Sequence, residues 1–225
     1  MQMEPQADDI ADANVIAPPS SNRREISFLP LVSAKRIMDI VLSILALVLL
    51  MPLLILVALL IKIDSQGPIL FWQKRGGLYG RPFKILKFRT MSVLEDGHTI
   101  KQARKGDPRV TRIGKWLRRT SIDELPQLIN VLRGEMSLVG PRPHAIAHDD
   151  YYRKIIRNYQ LRQNVKPGIT GWAQVNGARG ETPEPASMRV RVDLDVWYVH
   201  RNTLLLDIKI LWLTVIQVIR APNAF

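Results

Sequence analysis

The segment from Ile40 to Ile61 has 22 consecutive residues without a charged side chain. A helix of about 20 apolar residues is long enough to cross a bilayer, whereas buried helices of water-soluble domains usually keep a polar face. The segment lies far from the first residue and no small-residue cleavage site follows it, so it does not have the pattern of a signal peptide. It therefore predicts a membrane-inserted helix.

The shape of this insertion depends on Pro52, which lies in the middle of the apolar segment. A proline removes one backbone hydrogen bond and kinks or breaks a helix. Basic residues flank both ends, with Lys35 and Arg36 before the segment and Lys62 after it. The positive-inside tendency therefore indicates no orientation. Two shapes stay open: a helix broken at Pro52 that enters and leaves on one side, or a kinked helix that spans the bilayer.

Charge is distributed unevenly along the chain. The 225 residues carry a net charge of +12, but residues 1–34 hold two basic and five acidic residues, which leaves 30 basic and 15 acidic residues in the remainder. Residues 1–34 are therefore interpreted as a disordered acidic tail. The basic remainder favours an anionic partner, which can be nucleic acid, an anionic membrane face or a phosphorylated substrate. The absence of cysteine excludes disulfide and thiolate chemistry.

Residues 35–63 are expected to form the membrane-inserted segment, and residues 64–203 a mixed α/β catalytic domain. Apolar and aromatic runs at 69–73 and 83–88, joined by a glycine-rich loop, predict a β-hairpin. The sequence "DPRVTRIGKWLRRTS" predicts a turn followed by a short basic helix. "PQLINVLRG" predicts a helix that ends at Gly134.

Residues 204–225 contain the last predicted helix, in the stretch "TLLLDIKILWLTVIQVIR". Its polar side chains Thr203, Asp207, Thr214 and Gln217 lie near one stripe, and the other faces are apolar. The charges of the stretch make it a poor membrane span. Two interpretations are equally open: an amphipathic helix in the membrane interface, or a helix that packs against the domain.

Two adjacent carboxylates, Asp123 and Glu124, occur in "LRRTSIDELPQL". Ser121 and Glu124 fit a capping box, in which both carboxylates would only stabilise a helix start. Pro126 would then be the fifth helical residue, a position that suits proline poorly. A helix that starts at Pro126 is favoured instead. It leaves both carboxylates in the entry loop, where a ligand can reach them.

Basic residues surround this carboxylate pair in the sequence. Lys87 and Arg89 lie on or near the second hairpin strand, Arg118 lies on the basic helix, and Arg142 lies between two prolines. Guanidinium groups match the geometry of phosphate oxygens. The combination predicts a site for phosphate and a metal, in which an aspartate can ligate Mg²⁺ or attack phosphorus. The spacing does not separate these two roles. No Walker-type nucleotide loop is present, and the histidines lack zinc-ligand spacing.

The sequence resembles the bacterial sugar transferase family, the monotopic phosphoglycosyl transferases that act on polyprenyl phosphate. The resemblance runs from about Lys35 to the C-terminus. It rests on "KRIMD", the apolar segment with its central proline, "FWQKRGGLYGRPFKILKFRTM", "DPRVTRIGKWLRRTSIDELPQLINVLRGEMSLVGPRPH" and "VKPGITGWAQVNGARGET". The match looks closest to the enzymes that transfer hexose 1-phosphate from UDP-glucose at the start of exopolysaccharide synthesis.

The resemblance implies a function and a set of site residues. Asp123 would attack the sugar-bearing phosphate of a UDP-sugar, release UMP and hold the phosphosugar until undecaprenyl phosphate accepts it. Glu124 would assist as a base or metal residue, so that Asp123 and Glu124 also form the Mg²⁺ site. The phosphate-binding residues would be the basic residues of the matched motifs, namely Arg118, Arg142, Lys87 and Arg89.

The resemblance also implies a location. The apolar helix would be re-entrant and broken at Pro52, with both flanks and the catalytic domain on the cytoplasmic face of the bacterial inner membrane. Membrane lipids would be partners, a homo-oligomer is compatible with the family, and nucleic acid is not expected. The alternative donor is UDP-galactose. Alternatives of other classes are a metal-dependent diphosphate hydrolase and a basic membrane-tethered binding or scaffold protein, which would bind nucleic acid with steep salt dependence.

Overall fold

The computed structural model describes residues 28–92, 106–180, 182 and 184–220. The helices are α1 Phe28–Asp64, α2 Arg112–Thr120, α3 Gln127–Arg133, α4 Ile146–Ile155, α5 Trp172–Val175, α6 Pro185–Arg201 and α7 Leu204–Arg220. The strands are β1 Leu70–Gly76, β2 Pro82–Phe88, β3 Ser137–Val139 and β4 Gly168–Thr170. The fold is therefore mixed α/β, as predicted. Most of the predicted tail, residues 1–27, lies outside the described residues.

The apolar segment forms the middle of α1, and this helix is continuous through Pro52. The predicted break at Pro52 is therefore corrected: the proline lies inside a single helix of 37 residues. The Leu-rich sequences on either side of Pro52 favour a helix locally. Within residues 34–64 an 18-residue window has a mean hydropathy of 3.3, and by length and composition this helix can cross a membrane.

Helix α1 lies against the rest of the chain along most of its length. Near its start, Arg36 donates to the carbonyls of Val131 and Leu132 at 2.5 and 2.8 Å. At its end, Asp64 accepts from the Ile113 amide at 3.2 Å. Apolar side chains from the middle and the second half of α1 pack on the domain between these contacts. The opposite stripe of large apolar side chains is exposed, with Leu49 at 75%.

Strands β1 and β2 form the predicted hairpin. They pair antiparallel, from Leu70 opposite Phe88 to Gly76 opposite Pro82. The connection turns at Tyr79 and Gly80, which have φ of 54° and 73°. Glycine adopts this left-handed region without the steric cost that a Cβ imposes. The hairpin carries Lys87 at the end of β2.

Strands β3 and β4 form a short parallel pair in which Val139 lies opposite Thr170. The two backbones approach so closely beyond β3 that a Cβ on Gly140 would lie 2.3 Å from the Lys166 carbonyl oxygen. Only glycine fits this approach. The pair fixes the start of the Pro141–Pro143 loop, which carries Arg142.

The largest group of buried apolar side chains joins these elements. It combines residues of β2, α3, β3, α6 and α7: Ile85, Leu128, Val131, Met136, Leu138, Val139, Tyr198 and Ile210. Helix α3 ends at Gly134, which has a left-handed φ of 81° as the sequence predicts for a C-terminal glycine. The core thus holds α3 firmly behind the turn that contains Asp123.

Helix α7 turns its polar stripe and part of its apolar surface, including Ile210, towards the domain. Asp207 is 1% exposed and accepts from Lys35 at 2.5 Å and from the Tyr198 hydroxyl at 2.6 Å. Gln217 donates to the Val175 carbonyl at 2.7 Å. The opposite face exposes large apolar residues, and Trp212 is 65% exposed. The stripe therefore packs on the domain, while the remaining face is available for an apolar environment.

Candidate active site

Asp123 and Glu124 lie in a short 3-10 turn, Ile122–Glu124, between α2 and α3. Helix α2 ends because Ser121 adopts a left-handed conformation, with φ of 60°. The Ser121 side chain caps neither helix, and α3 begins only after Pro126. The loop interpretation of the carboxylates is therefore confirmed, and the capping box is not formed.

Glu124 is held by two cations from distant elements. Lys87 Nζ donates to Glu124 Oε1 at 2.8 Å. Arg142 donates through Nη1 to Oε2 at 2.9 Å and through Nη2 to Oε1. Burial opposes the charged form, but Arg142 and Lys87 outweigh it and hold the pKa of Glu124 well below its usual range. Glu124 is therefore a permanent anion that positions both cations.

Asp123 is buried beside this ion cluster but accepts no hydrogen bond from the described part of the chain. Burial and the neighbouring Glu124 charge raise its pKa to about 6, against the opposing effects of Lys87, Arg118 and Arg142. A buried carboxylate without a partner is costly. Its oxygens are consequently available to a ligand, which is what a nucleophile or a metal ligand requires.

The structure brings three of the four predicted basic residues towards the carboxylates. Lys87 and Arg142 bind Glu124, and burial lowers the pKa of both Lys87 and Arg118, in the case of Arg118 against the opposing effect of Asp123. Arg118 is oriented by Thr90, whose hydroxyl accepts from Nε at 2.9 Å. We name Asp123, Glu124, Lys87, Arg118 and Arg142 the carboxylate cluster.

Arg89 is directed elsewhere. Its guanidinium donates to the Gln66 carbonyl at 2.7 Å and to the Ser65 carbonyl at 2.6 Å, in the turn after α1. The side chain is 3% exposed. Side chains alternate along a strand, so Lys87 and Arg89 share a face in the extended strand. Strand β2 ends at Phe88, however, and the alternation does not extend past it.

A second group of buried polar residues supports the Arg142 loop from behind. Arg162 donates to the Arg142 carbonyl at 2.6 Å and, through Nε and Nη2, to Asp195 at 3.0 and 2.8 Å. Tyr159 donates to Asp149 at 2.6 Å and lies 2.6 Å from His144 Nδ1. We name Arg162, Asp195, Asp149, Tyr159 and His144 the rear cluster.

The sequence gives no local signal for the rear cluster, because its members come from the loop before α4, from α4, from the turn Tyr159–Gln163 and from α6, and they are joined only by folding. Thr90, Ser121 and Arg179 were also missed. Arg179 lies 58 residues from Ser121 yet its Nη2 donates to the Ser121 hydroxyl. A charged side chain in a glycine-containing loop, as in "NGARG", is the only trace of this contact in the sequence.

The described residues contain no group of three or more carboxylate or histidine ligands that could enclose a metal ion. Magnesium sites at phosphates commonly use only one or two carboxylates, together with substrate oxygens and water. The unpartnered Asp123 and the adjacent Glu124 fit such a donor set. Both oxygens of Glu124 already accept from cations, so Asp123 is the stronger candidate ligand.

Comparison with known proteins bears on the family of this chain. A sequence model of bacterial sugar transferases matches residues 31–221. The chain belongs to the bacterial sugar transferase family. It is 54% identical over 183 residues to the UDP-glucose:undecaprenyl-phosphate glucose-1-phosphate transferase of Escherichia coli K12, and 54% identical over 191 residues to the protein of the same description from Caulobacter vibrioides.

The matches cover most of this chain but different shares of the relatives. The E. coli match includes 81% of this chain and 39% of the relative, whereas the Caulobacter match includes 85% and 72%. The exopolysaccharide production protein PSS of Rhizobium leguminosarum is 46% identical over 195 residues, which are 85% of this chain and 98% of that protein. The chain thus spans about two fifths of the E. coli relative and nearly all of the Rhizobium one.

Proposed function

We propose that this bacterial sugar transferase moves glucose 1-phosphate from UDP-glucose to undecaprenyl phosphate at the start of exopolysaccharide assembly. The observation that carries the proposal is the contrast within the carboxylate cluster: Glu124 is bound by two cations, while Asp123 is buried and accepts no hydrogen bond from the part of the chain that the structure describes. A free carboxylate among cations suits attack on a phosphate ester. The descriptions of the E. coli and Caulobacter relatives support the reaction and the donor.

The reaction proceeds in two balanced steps. An Asp123 oxygen attacks the sugar-bearing phosphorus, the bond to the bridging oxygen breaks, and UMP leaves with the electron pair. An oxygen of undecaprenyl phosphate then attacks the same phosphorus, which breaks the bond to Asp123 and restores the carboxylate. The acceptor leaves as a lipid diphosphate that carries the sugar.

The basic residues of the carboxylate cluster have distinct parts in these steps. Arg142 and Lys87 are held by Glu124 and offer their charge to the transferred phosphate. Arg118 is oriented by Thr90 and stabilises the same phosphate from the α2 side. Arg89 is bonded to the turn after α1, so its predicted phosphate contact has less support than the other three. Asp123 and Glu124 would hold Mg²⁺, which neutralises diphosphate charge when bound.

The packing of α1 supports membrane insertion from one side. A straight helix over residues 34–64 is about 46 Å long at 1.5 Å per residue, longer than a hydrocarbon core of about 30 Å. A spanning helix would place half of that length beyond the reach of the domain. Instead both ends and one stripe of α1 contact the domain. We therefore propose that α1, although unbroken at Pro52, is re-entrant in the sense that both of its ends stay on the cytoplasmic face of the bacterial inner membrane and the helix does not span the bilayer.

The exposed apolar face of α7 supports the same arrangement. Its inward polar stripe is bound by Lys35 of α1, at 2.5 Å from Asp207, so the two helices are joined. Trp212 and its apolar neighbours would then rest at the membrane surface, where tryptophan is favoured. The acceptor phosphate lies at that same surface. A catalytic site joined to both helices would therefore bind the acceptor phosphate at the membrane surface.

The decisive experiment measures UMP release by the purified full chain with UDP-glucose and Mg²⁺, with and without undecaprenyl phosphate. We expect turnover only with the lipid, together with a lipid-linked sugar. UDP-galactose is the second donor to test and is expected to react more slowly. UMP or phosphate release at the same rate without lipid would indicate a hydrolase. No reaction, with salt-dependent binding of nucleic acid, would indicate the basic binding protein.

The membrane topology of α1 is tested separately in intact cells. A cysteine placed in residues 1–27 and another placed at the exposed Arg189 are expected to resist a membrane-impermeant thiol reagent until the cells are opened. Reaction of the first cysteine from the periplasm, with the second protected, would establish a spanning helix and overturn the re-entrant one.

A further inference from the structure

A loop that the proposed chemistry does not use lies against the catalytic turn. It contains Gly177, Ala178, Arg179 and Gly180, between α5 and α6. Arg179 Nη2 donates to the hydroxyl of Ser121, two residues before Asp123. Burial and the Arg142 charge lower the pKa of Arg179, while Glu124 and Asp123 oppose this shift. The guanidinium is therefore close enough to interact electrostatically with Arg142, Glu124 and Asp123 of the carboxylate cluster.

The loop is held rigidly on both sides of Arg179. Gly177 and Gly180 adopt left-handed φ of 86° and 92°. Arg191 of α6, which is 5% exposed, donates to the Ala178 carbonyl at 3.0 Å and to the Gly180 carbonyl at 2.7 Å. A buried arginine thus fixes the backbone before and after Arg179. Such support is expected for a side chain that must meet a ligand in one geometry.

Arg179 keeps most of its donors for a ligand. A guanidinium offers five N–H groups, and the described residues take one of them, through Ser121. No salt bridge to Arg179 occurs in the part of the chain that the structure describes. Lys87 and Arg142, in contrast, are bound to Glu124. Of these three cations, Arg179 is the one that no described carboxylate neutralises; Arg118 likewise forms no salt bridge among the described residues but donates to Thr90.

A cleft of about 380 Å³ opens beside this arginine. Ligand sites in proteins have volumes of roughly 300 to 1,000 Å³. The described lining includes two arginines, an amide, two hydroxyls and an apolar side chain, and these are Asn176, Arg179, Thr182, Ser187, Val190 and Arg191. None of the described lining residues is acidic, and none comes from α1 or α7. The cleft therefore suits an anionic ligand that arrives from water and not from the membrane.

We propose that Arg179 binds the phosphate of the nucleotide half of the donor, and that the cleft holds the nucleoside attached to it. This inference rests on the function proposed above. In phosphoryl transfer the leaving oxygen lies roughly in line with the attacking oxygen, across the phosphorus. The leaving UMP therefore needs a cation other than those that hold the transferred phosphate. Arg179, which reaches the turn of Asp123 from a separate loop, supplies it, and Arg191 is its positioning residue.

Binding of UMP and of uridine to the purified full chain tests this inference without turnover. Charge-assisted hydrogen bonds contribute about 1.5 to 3 kcal/mol, so Arg179→Ala is expected to weaken UMP binding about 10-fold to 100-fold. Uridine lacks the phosphate, and its affinity is expected to change less than about twofold. Arg179→Lys is expected to restore part of the UMP affinity. Arg189→Ala, an exposed arginine outside the cleft, is the matched control and is expected to bind both ligands normally.

The results separate the alternatives. An equal loss of UMP and uridine affinity in Arg179→Ala would mean that the loop had collapsed, and it would overturn the phosphate contact. A raised KM for undecaprenyl phosphate with unchanged UMP binding would assign Arg179 to the lipid phosphate instead. Failure of the wild-type chain to bind UMP also overturns the inference. UMP binding that depends on Arg179 in a protein without transferase activity would preserve this site and overturn the proposed reaction.

The cleft itself has a separate test. Val190→Trp adds a larger side chain to the lining of the cleft. It is expected to weaken the binding of uridine and the binding of UMP by the same factor, about tenfold or more. Arg191→Lys removes the fork that holds two carbonyls, and it is expected to weaken UMP more than uridine because it displaces Arg179. Unchanged UMP affinity in both variants would overturn the proposed cleft.

Discussion

The carboxylate cluster and the rear cluster are both buried and both ionic, but they differ in how completely their carboxylates are hydrogen-bonded by the described residues. In the rear cluster Arg162 faces Asp195, and Asp149 accepts from Tyr159 and Gln163. In the carboxylate cluster Glu124 is paired, but its neighbour Asp123 accepts no hydrogen bond from the described residues. Burial of an uncompensated charge is expensive, so the rear cluster serves the fold and the carboxylate cluster keeps one group for a ligand.

The two clusters meet at the backbone of Arg142. The side chain of this residue binds Glu124, and its carbonyl accepts from Arg162 at 2.6 Å. A loop between two prolines has few backbone conformations, and this hydrogen bond selects one of them. The comparison teaches that a buried arginine paired within the rear cluster, Arg162, can position a side chain of the carboxylate cluster, Arg142, through its backbone. It also predicts opposite responses to mutation in the two clusters.

The largest effect is expected for Asp123→Asn, because an amide cannot form the covalent intermediate. The rate of sugar-phosphate transfer should fall on the order of 10⁴-fold or more, as for other removed nucleophiles. Asp193→Asn, at an exposed carboxylate of α6, is the matched control and should retain the rate. Near-normal turnover of Asp123→Asn in the UMP-release assay would remove Asp123 from the mechanism.

The same variant should be no less stable than the wild type when Mg²⁺ is absent. The folded-state pKa of Asp123 is about 6, above the ordinary value of 3.8. Between these values the folded state binds more protons, so the free energy of unfolding contributed by Asp123 decreases as the pH rises. The difference between the melting temperatures at pH 5 and pH 7 should therefore be smaller in Asp123→Asn than in the wild type. A clear loss of stability in the variant would mean that Asp123 has a structural partner.

Removal of divalent cations is expected to have the next largest effect. A metal ion that neutralises a diphosphate contributes several kcal/mol, so chelation should slow transfer on the order of 10³-fold, with recovery on addition of Mg²⁺. The melting temperature should change little, since the described residues contain no enclosed metal site. Full activity in excess chelator would remove the metal from the proposal.

Arg162→Met breaks the rear cluster. In contrast to Asp123→Asn, it should mainly lower the stability of the protein. Removal of one partner from a buried ion pair costs about 3 to 5 kcal/mol, because Asp195 is left uncompensated. Thermal unfolding in detergent measures this loss. The double variant Arg162→Met with Asp195→Leu should regain much of the stability but not the kcat, since the Arg142 carbonyl still lacks its donor. Wild-type kcat in the double variant would show that Arg162 does not position Arg142.

The smallest effect is expected for Arg118→Lys. Lysine keeps the charge but loses the planar fork and the Nε contact to Thr90. A loss of about 1.4 kcal/mol, or about tenfold in kcat/KM, is expected from one charge-assisted hydrogen bond. Arg119→Lys, one residue further on the exposed side of α2, is the control. Equal kinetics for both variants would place Arg118 outside the site.

Local pattern was sufficient for those parts of the fold that depend on neighbouring residues. The uncharged run predicted α1, alternating apolar residues predicted the β1–β2 hairpin, and Gly134 predicted the end of α3. Proline preference placed Asp123 and Glu124 in a loop, as observed. Pro52 is the exception: its local tendency to interrupt a helix predicted a break that α1 does not have. Packing of both halves of α1 on the domain outweighs that tendency.

Tertiary structure alone decided which charges meet. The sequence by itself determined that the chain has an apolar helix, a basic domain and an acidic pair among arginines, because composition and short-range spacing carry that information. It could not determine that Arg162 supports Arg142, that Arg179 reaches Ser121, or that Arg89 turns away from the carboxylates. These contacts join residues 20 to 58 positions apart. Hydrogen bonds at such separations depend on how the elements pack, and that arrangement exists only in the folded chain.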